Sequence, residues 1–417
     1  MKNQIVNSIK YIPTNIIKSY FTKTYSDETK AIRQRLGFIR GACHVNENYE
    51  QIKDANIEWI RTDVPFPFDK DGNIREEYTK RKEEFRTIKA KGLKIMVMTA
   101  IPSQCIALGV DPRTEDGKAL ICKAARFTVE DLQGVIDGIQ VANEIGMPRF
   151  TVPLNMKEGI EFIGMQLQAM YDFRGNIIIG YNSAGPQADL HAGLKPYHKY
   201  CDYVGLDMYL GCFFKLPGFM FLFDVMARYL WSFTKKPILM QEFGYISAGK
   251  PKSKAEKKAI LQGYGFDSEK AARENITQFV ENLPKHFGDH VKYVCEHDEN
   301  RYADFLFDGD MTNHLYKELP GITVIPGYPH TPEGQAKFYT NLLDRFYNLD
   351  FICGAIVFCY TDFPHCAYCG QSDCPTETRW GLVDNDGNPK PSYFAVRKKF
   401  GQFRQADQKD KNNRSMA

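Results

Sequence analysis

Two glutamates stand at the ends of apolar runs. Glu144 closes DGIQVANE (137–144) directly after Asn143, and Glu242 lies in KPILMQEFGY (236–245), between Gln241 and Phe243-Gly244. A carboxylate in that position is either a surface acid where a strand meets water or a reactive group that the strand holds up. Two of them facing one another can flank a single bond, as cleavage of a glycosidic bond requires. One must keep its proton to donate to the leaving oxygen. The other must be ionised, to attack carbon or to activate water. Arg61 and Asp63 in NIEWIRTDVPF (56–66), Asn182 in NIIIGYNSAG (176–185) and Tyr209 ending DYVGLDMY (202–209) are further polar residues at the ends of such runs.

The elements that must position these groups are legible as eight β-rich runs. Besides those quoted they are RLGFIRGACHV (35–45), GLKIMVMTAIP (92–102) and CGAIVFCYTDF (353–363). Parallel strands buried on both faces read as near-continuous apolar runs of this kind. Helical stretches lie between them. Thr128 with Asp131 reads as a capping box ahead of Leu132, Val135 and Ile136. Thr331, Pro332, Glu333 and Gln335 open a helix whose face is Phe338, Leu342, Leu343 and Phe346. Repeated βα units totalling eight predict a (β/α)8 TIM barrel, in which reacting groups gather at the C-terminal strand ends. The other reading makes 128–145 one helix and RFTVPL (149–154) the fourth strand. It is disfavoured because Gly138 breaks the helix and Ile139 and Val141 alternate with polar neighbours. No GxGxxG follows the first strand and no GxxxxGK[ST] occurs, which weighs against nucleotide-binding folds.

Asn143-Glu144 and Gln241-Glu242-Phe243-Gly244, with WGLVDNDGNPKPSY (380–393) near the C-terminus, resemble the clan A glycoside hydrolases. The likeness spans about 35–400. It implies a retaining β-glycoside hydrolase on a (β/α)8 barrel, working by double displacement through a covalent glycosyl-enzyme. The resemblance makes Glu144 the acid/base, Glu242 the nucleophile and Asn143 a partner of the sugar 2-hydroxyl. It makes Arg61 the cation that keeps Glu242 ionised and Tyr209 a hydrogen-bond donor to it. Where the clan has a tryptophan near the end of strand eight, this chain reads CYTDF, offering Tyr360, with Trp380 as a further stacking residue. A transglycosylase on the same site and a non-catalytic carbohydrate-binding barrel are the alternatives. Each residue also has a plainer role open to it: helix capping for the glutamates, a structural ion pair for Arg61, packing for Tyr209 and Tyr360.

The remaining features set the context. Lys plus Arg number 54 and Asp plus Glu 51 in 417 residues, a balance that gives no reason to invoke nucleic acid. No apolar run approaches the roughly eighteen residues that a membrane span needs, and no secretory signal is recognisable, so a cytoplasmic setting is expected. Oligomeric state is open. The expected organisation is an N-terminal, helical extension (1–34), the barrel (35–400) with a lid-like insertion at 246–330, and a disordered polar tail (401–417). The eleven cysteines mostly sit singly in apolar runs, but HCAYCGQSDCPTE gathers Cys366, Cys369 and Cys374. The C-x2-C turn can present two thiolates to a structural zinc, with Cys374 a third ligand and Cys359, His365, Cys212 or Cys295 a fourth. Ordinary reduced thiols and a disulfide are the other readings. Catalysis itself calls for no cofactor.

Overall fold

The computed structural model describes residues 27–212, 219–309, 311–319 and 324–415. Eight parallel strands close into a barrel in chain order. They are β1 (Ile39–Cys43), β2 (Trp59–Asp63), β3 (Lys94–Met98), β4 (Gly138–Val141), β5 (Ile178–Ala184), β6 (Tyr203–Met208), β7 (Ile238–Phe243) and β8 (Ile352–Val357). The ring shuts where Ile39 pairs with Gly354 and Gly41 with Ile356. Most of the expected N-terminal extension lies outside the described residues; its described part is the helix Asp27–Leu36.

The period of two along each strand builds the site. Near the N-terminal strand ends, Ile39, Trp59, Met96, Ile178, Tyr203 and Leu239 form an apolar inner cluster. Two residues further on, the same inward positions turn polar: Trp59 gives way to Arg61, Gly138 to Gln140, Gly180 to Asn182, Gly205 to Asp207 and Leu239 to Gln241. All five of those polar residues are buried. Gly205 makes room for this layer, because a Cβ there would lie 1.8 Å from Gln241 Oε1 and 2.8 Å from Asn182 Cβ.

Between β6 and β7 the register shifts, so that Leu206 opposes Met240 but Asp207 opposes Glu242. Gln241 is therefore the extra residue of a bulge, a device that re-aims side chains at barrel rims. Its amide reaches Tyr203 Oη at 3.1 Å, while Glu242, the next residue, also reaches the interior, at Arg61.

Two expectations are corrected. Thr128 does not start a helix; it lies in the last turn of Glu115–Asp131, whose N-cap is Thr114. Leu132, Val135 and Ile136 are buried in the turn that leads to β4. The polar stretch 401–415 is not disordered but continues the helix Pro391–Ser415. Phe403 and Asp407, one turn apart, face the barrel together. Phe403 stacks on Tyr347 with centroids 4.2 Å apart, and Asp407 Oδ2 accepts from Phe38 N at 2.8 Å and Arg40 Nη1 at 3.1 Å.

The segment after β7 carries the helices Lys254–Gly263, Glu269–Glu274, Ile276–Asn282, Lys285–Val294 and Thr312–Leu315. They enclose a second core around Phe279, Phe287, Leu306 and Leu315, separate from the barrel's. The barrel helix Pro332–Tyr347 follows, capped by Thr331 and burying Phe338, Leu342, Leu343 and Phe346.

Candidate active site

The chain leaves β4 through two residues in the left-handed region, Ala142 at φ +56° and Glu144 at φ +44°. Neither is glycine, so each carries local strain, which folds retain mainly at functional positions. The turn is held by Glu144 N donating to Asn182 Oδ1 at 2.8 Å and by Ala142 N donating to Thr99 Oγ1 at 3.0 Å. The result aims the Glu144 carboxyl into the mouth, where it is 6% exposed.

Glu242 is gripped at both oxygens. Arg61 pairs with Oε1 and the Tyr209 hydroxyl donates to Oε2. Arg61 also donates through Nε to Gln140 Oε1 at 2.7 Å and through Nη2 to Asn143 Oδ1 at 2.9 Å. That Asn143 oxygen further accepts from Gln140 Nε2 and Asn182 Nδ2, each at 3.0 Å. Three donors on one oxygen fix the amide, leaving Asn143 Nδ2 directed away from the network. Asn182 spans to Asp207 Oδ2 at 2.5 Å.

The electrostatics separate the two glutamates. Burial first, and then the charge of Glu242, push Glu144 up to about 7, against the opposing pull of Arg149 and Arg61. Arg149 Nη2 lies 3.9 Å from Glu144 Oε2. Asp207 is held well above the ordinary carboxylate range by burial and by the charges of Glu242 and Glu144. A buried acid that keeps its proton in this way limits the negative charge in the mouth. Burial depresses the guanidinium of Arg61, but Glu242 and Asp207 outweigh that effect and hold it above its usual value. One acid thus keeps a proton near neutrality while a permanent cation faces the other.

The outer wall is aromatic. Tyr209 meets Trp380 and Phe358 edge-on, at centroid distances of 5.3 and 5.4 Å, and His44 meets Phe358 at 5.3 Å. Phe358, just past β8, is partly exposed beside Tyr209. Tyr360 is fully buried, its hydroxyl donating to Gln51 Oε1 at 3.0 Å. Trp380 is fully buried too, its indole donating to Thr376 O at 2.8 Å. Neither ring has an open face, so Trp380 backs the wall and Tyr360 lies behind it. Sequence reading placed Arg61, Asn143, Tyr209 and both glutamates in this mouth. It missed Gln140, whose polar side chain inside an apolar run was the available signal, and it took Tyr360 where Phe358 stands two residues earlier.

Cys366, Cys369 and Cys374 come together with a residue the sequence did not nominate, His314 from the inserted segment. All four are buried, and their ligand atoms lie within 4.8 Å of one another. Of the fourth partners expected from sequence, His365 is exposed and the Cys359 thiol donates to Thr361 O at 3.0 Å.

No family model matches the chain, and no curated protein matches it. Solved structures do. A family 39 glycoside hydrolase from the gut symbiont Bacteroides cellulosilyticus superposes with a TM-score of 0.52 at 12% identity, covering 87% of this chain and 63% of that one. A GH53 catalytic domain from Ignisphaera aggregans gives a TM-score of 0.50 at 16% identity, covering 87% of this chain and 96% of that one. The chain shares their fold. A GH2 β-galacturonidase from Eisenbergiella tayi matches 87% of this chain at 13% identity with a TM-score of 0.48, and the match covers 51% of its own length. This chain thus spans about half of that enzyme. Among the described residues no helix is long and apolar enough to cross a membrane.

Proposed function

We propose that this chain is a retaining glycoside hydrolase in which Glu242 attacks the anomeric carbon and Glu144 serves as acid and then base. The observation that carries the reading is the contrast between the two carboxyls. Glu242 is clasped by Arg61 and Tyr209, whereas Glu144, at a strained turn with Arg149 Nη2 3.9 Å away, is still pushed up to about 7. The barrel shared with the family 39 and GH53 enzymes is consistent with it.

In the first step Glu242 bonds to the anomeric carbon as the C–O bond to the leaving group breaks, and Glu144 gives its proton to the departing oxygen. The negative charge of Glu242 then disappears into an ester. Because that charge is one of the two influences raising Glu144, its acidity increases on the covalent intermediate. Glu144, now a carboxylate, takes a proton from water, which attacks the same carbon and releases Glu242. Asn143 Nδ2 is the group presented to the sugar 2-hydroxyl. The eleven cysteines form no disulfide, in keeping with a reducing, cytoplasmic setting.

The test is a panel of aryl β-glycosides (gluco, galacto, manno, xylo, fuco, N-acetylglucosaminyl and glucuronyl) followed by proton NMR of the first-formed sugar. A β-anomer formed first, with turnover abolished in Glu242→Ala, is expected. An α-anomer formed first would rule out retention. A Glu242→Ala protein as active as the parent would remove the nucleophile assignment.

A further inference from the structure

We propose that His314, Cys366, Cys369 and Cys374 bind one zinc ion, and that this ion fastens the segment inserted after β7 to the loop that follows β8. The site is separate from the carboxyl pair and takes no part in bond cleavage.

The donors already lie at coordination spacing. Cys366 Sγ is 3.3 Å and Cys374 Sγ 3.6 Å from His314 Nδ1, and all four ligand atoms fall within 4.8 Å of one another. A tetrahedral zinc with Zn–S of about 2.3 Å and Zn–N of about 2.0 Å requires S···N near 3.5 Å and S···S near 3.8 Å. A disulfide would use two of these groups and leave a thiol and an imidazole buried beside it; none of the three cysteines is in one. Three soft thiolates and one imidazole suit zinc over calcium or magnesium.

The backbone is shaped for the same purpose. Cys369 N donates to Cys366 Sγ at 3.5 Å, Gly370 N to Cys366 O at 2.8 Å and Cys366 N to Gln371 O at 3.0 Å. Gly370, at φ +69°, turns the chain back after the second cysteine, in a conformation that side-chain-bearing residues seldom adopt. The amide bond to sulfur disperses charge from a thiolate, the kind of outer contact that orients metal ligands.

The placement gives the ion its work. Cys366, Cys369 and Cys374 belong to the second core, otherwise built from the inserted helices. That core is small, and small cores commonly need a metal or a disulfide for stability. Within the C-x2-C turn, Tyr368 hydrogen-bonds Arg149 and packs edge-on against His314, with centroids 5.0 Å apart. Arg149 follows β4 and Tyr368 follows β8, strands on opposite sides of the ring, so this contact straps the mouth above Glu144. The metal thereby sets the position of the strap.

Elemental mass spectrometry on full-length protein, expressed with zinc supplied and then desalted, should find about one zinc per chain. His314→Ala and Cys369→Ser should lower that by at least tenfold under a fixed chelator concentration, whereas His314→Cys, which keeps four ligands, should retain it. Hydrogen exchange should rise in 254–315 and 366–374 of the depleted variants while β1 to β8 stay protected, which separates metal loss from global unfolding. Protein that holds no zinc, cobalt or cadmium after titration, with three titratable thiols at these positions, overturns the proposal. So does a mass showing a disulfide among them, or His314→Ala retaining full zinc.

Discussion

Arg61 and Glu242 are ion-paired across the barrel mouth with 1% and 11% of their side chains exposed. A pair so shut off from water is weak evidence for stability in itself, since desolvation offsets the attraction. Breaking it is another matter, because the surviving charge is left buried. Arg61→Met should cost about 3–5 kcal/mol of stability at neutral pH. Urea unfolding measures this, and an Arg61→Met/Glu242→Gln protein no more stable than Arg61→Met would show that packing, not charge, was removed.

The grip of Tyr209 on the second oxygen of Glu242 should appear in kinetics. A hydrogen bond to a charged group contributes about 1.5–3 kcal/mol. Tyr209→Phe should therefore lower kcat by about ten- to a hundredfold, while its ring still packs on Trp380 and Phe358. Unchanged kcat on several substrates would remove Tyr209 from the reaction.

Because Glu144 is pushed up to about 7, kcat/KM should fall as pH rises through that value, when the proton needed for the leaving group is lost. Glu144→Gln, assayed on aryl glycosides whose leaving groups need no proton, should lack that limb. A basic limb that survives the substitution belongs to another group.

The same carboxyl makes a prediction about stability, with the opposite sign from most acids. Its value in the fold lies above the ordinary 4.5, so the folded chain holds more protons than the unfolded one between there and about 7. Stability must fall as pH rises across that window. Relative to the parent, Glu144→Gln should gain up to about 3 kcal/mol on moving from pH 4 to pH 8. Parallel stability curves for the two proteins would contradict the raised value.

Much of this was legible in the chain. The strands were readable because burial on both faces leaves few polar residues in each run, and all eight observed strands fall within the predicted ranges apart from Ile352 at the start of β8. Glu144 and Glu242 were readable because they terminate such runs. Contacts made between distant segments left less trace. His314 sits 52 residues from Cys366 in a surface-like sequence, and only the packing of the inserted helices makes it a neighbour. Arg149 and Tyr368 meet because β4 and β8 are opposite, which no local spacing reports. The stretch from 401 onward read as a disordered tail because Phe403 and Asp407, one aromatic and one acid in a polar run, give little local sign of the barrel contacts they make.

That aspartate bears on how the protein is made. Asp407 caps Phe38 N from 369 residues away, and β1 gains its second neighbour only when Ile352–Val357 arrives. At about 5–20 residues per second of synthesis, β1 spends on the order of tens of seconds as an open edge on the ribosome. Arg40 lies in the middle of that edge, and in the finished barrel it is buried between Glu58 and Asp407. A charge at that place discourages a nascent strand from pairing with the wrong chain. The residue that clasps the finished seam is the one that guards it while it is still unmade.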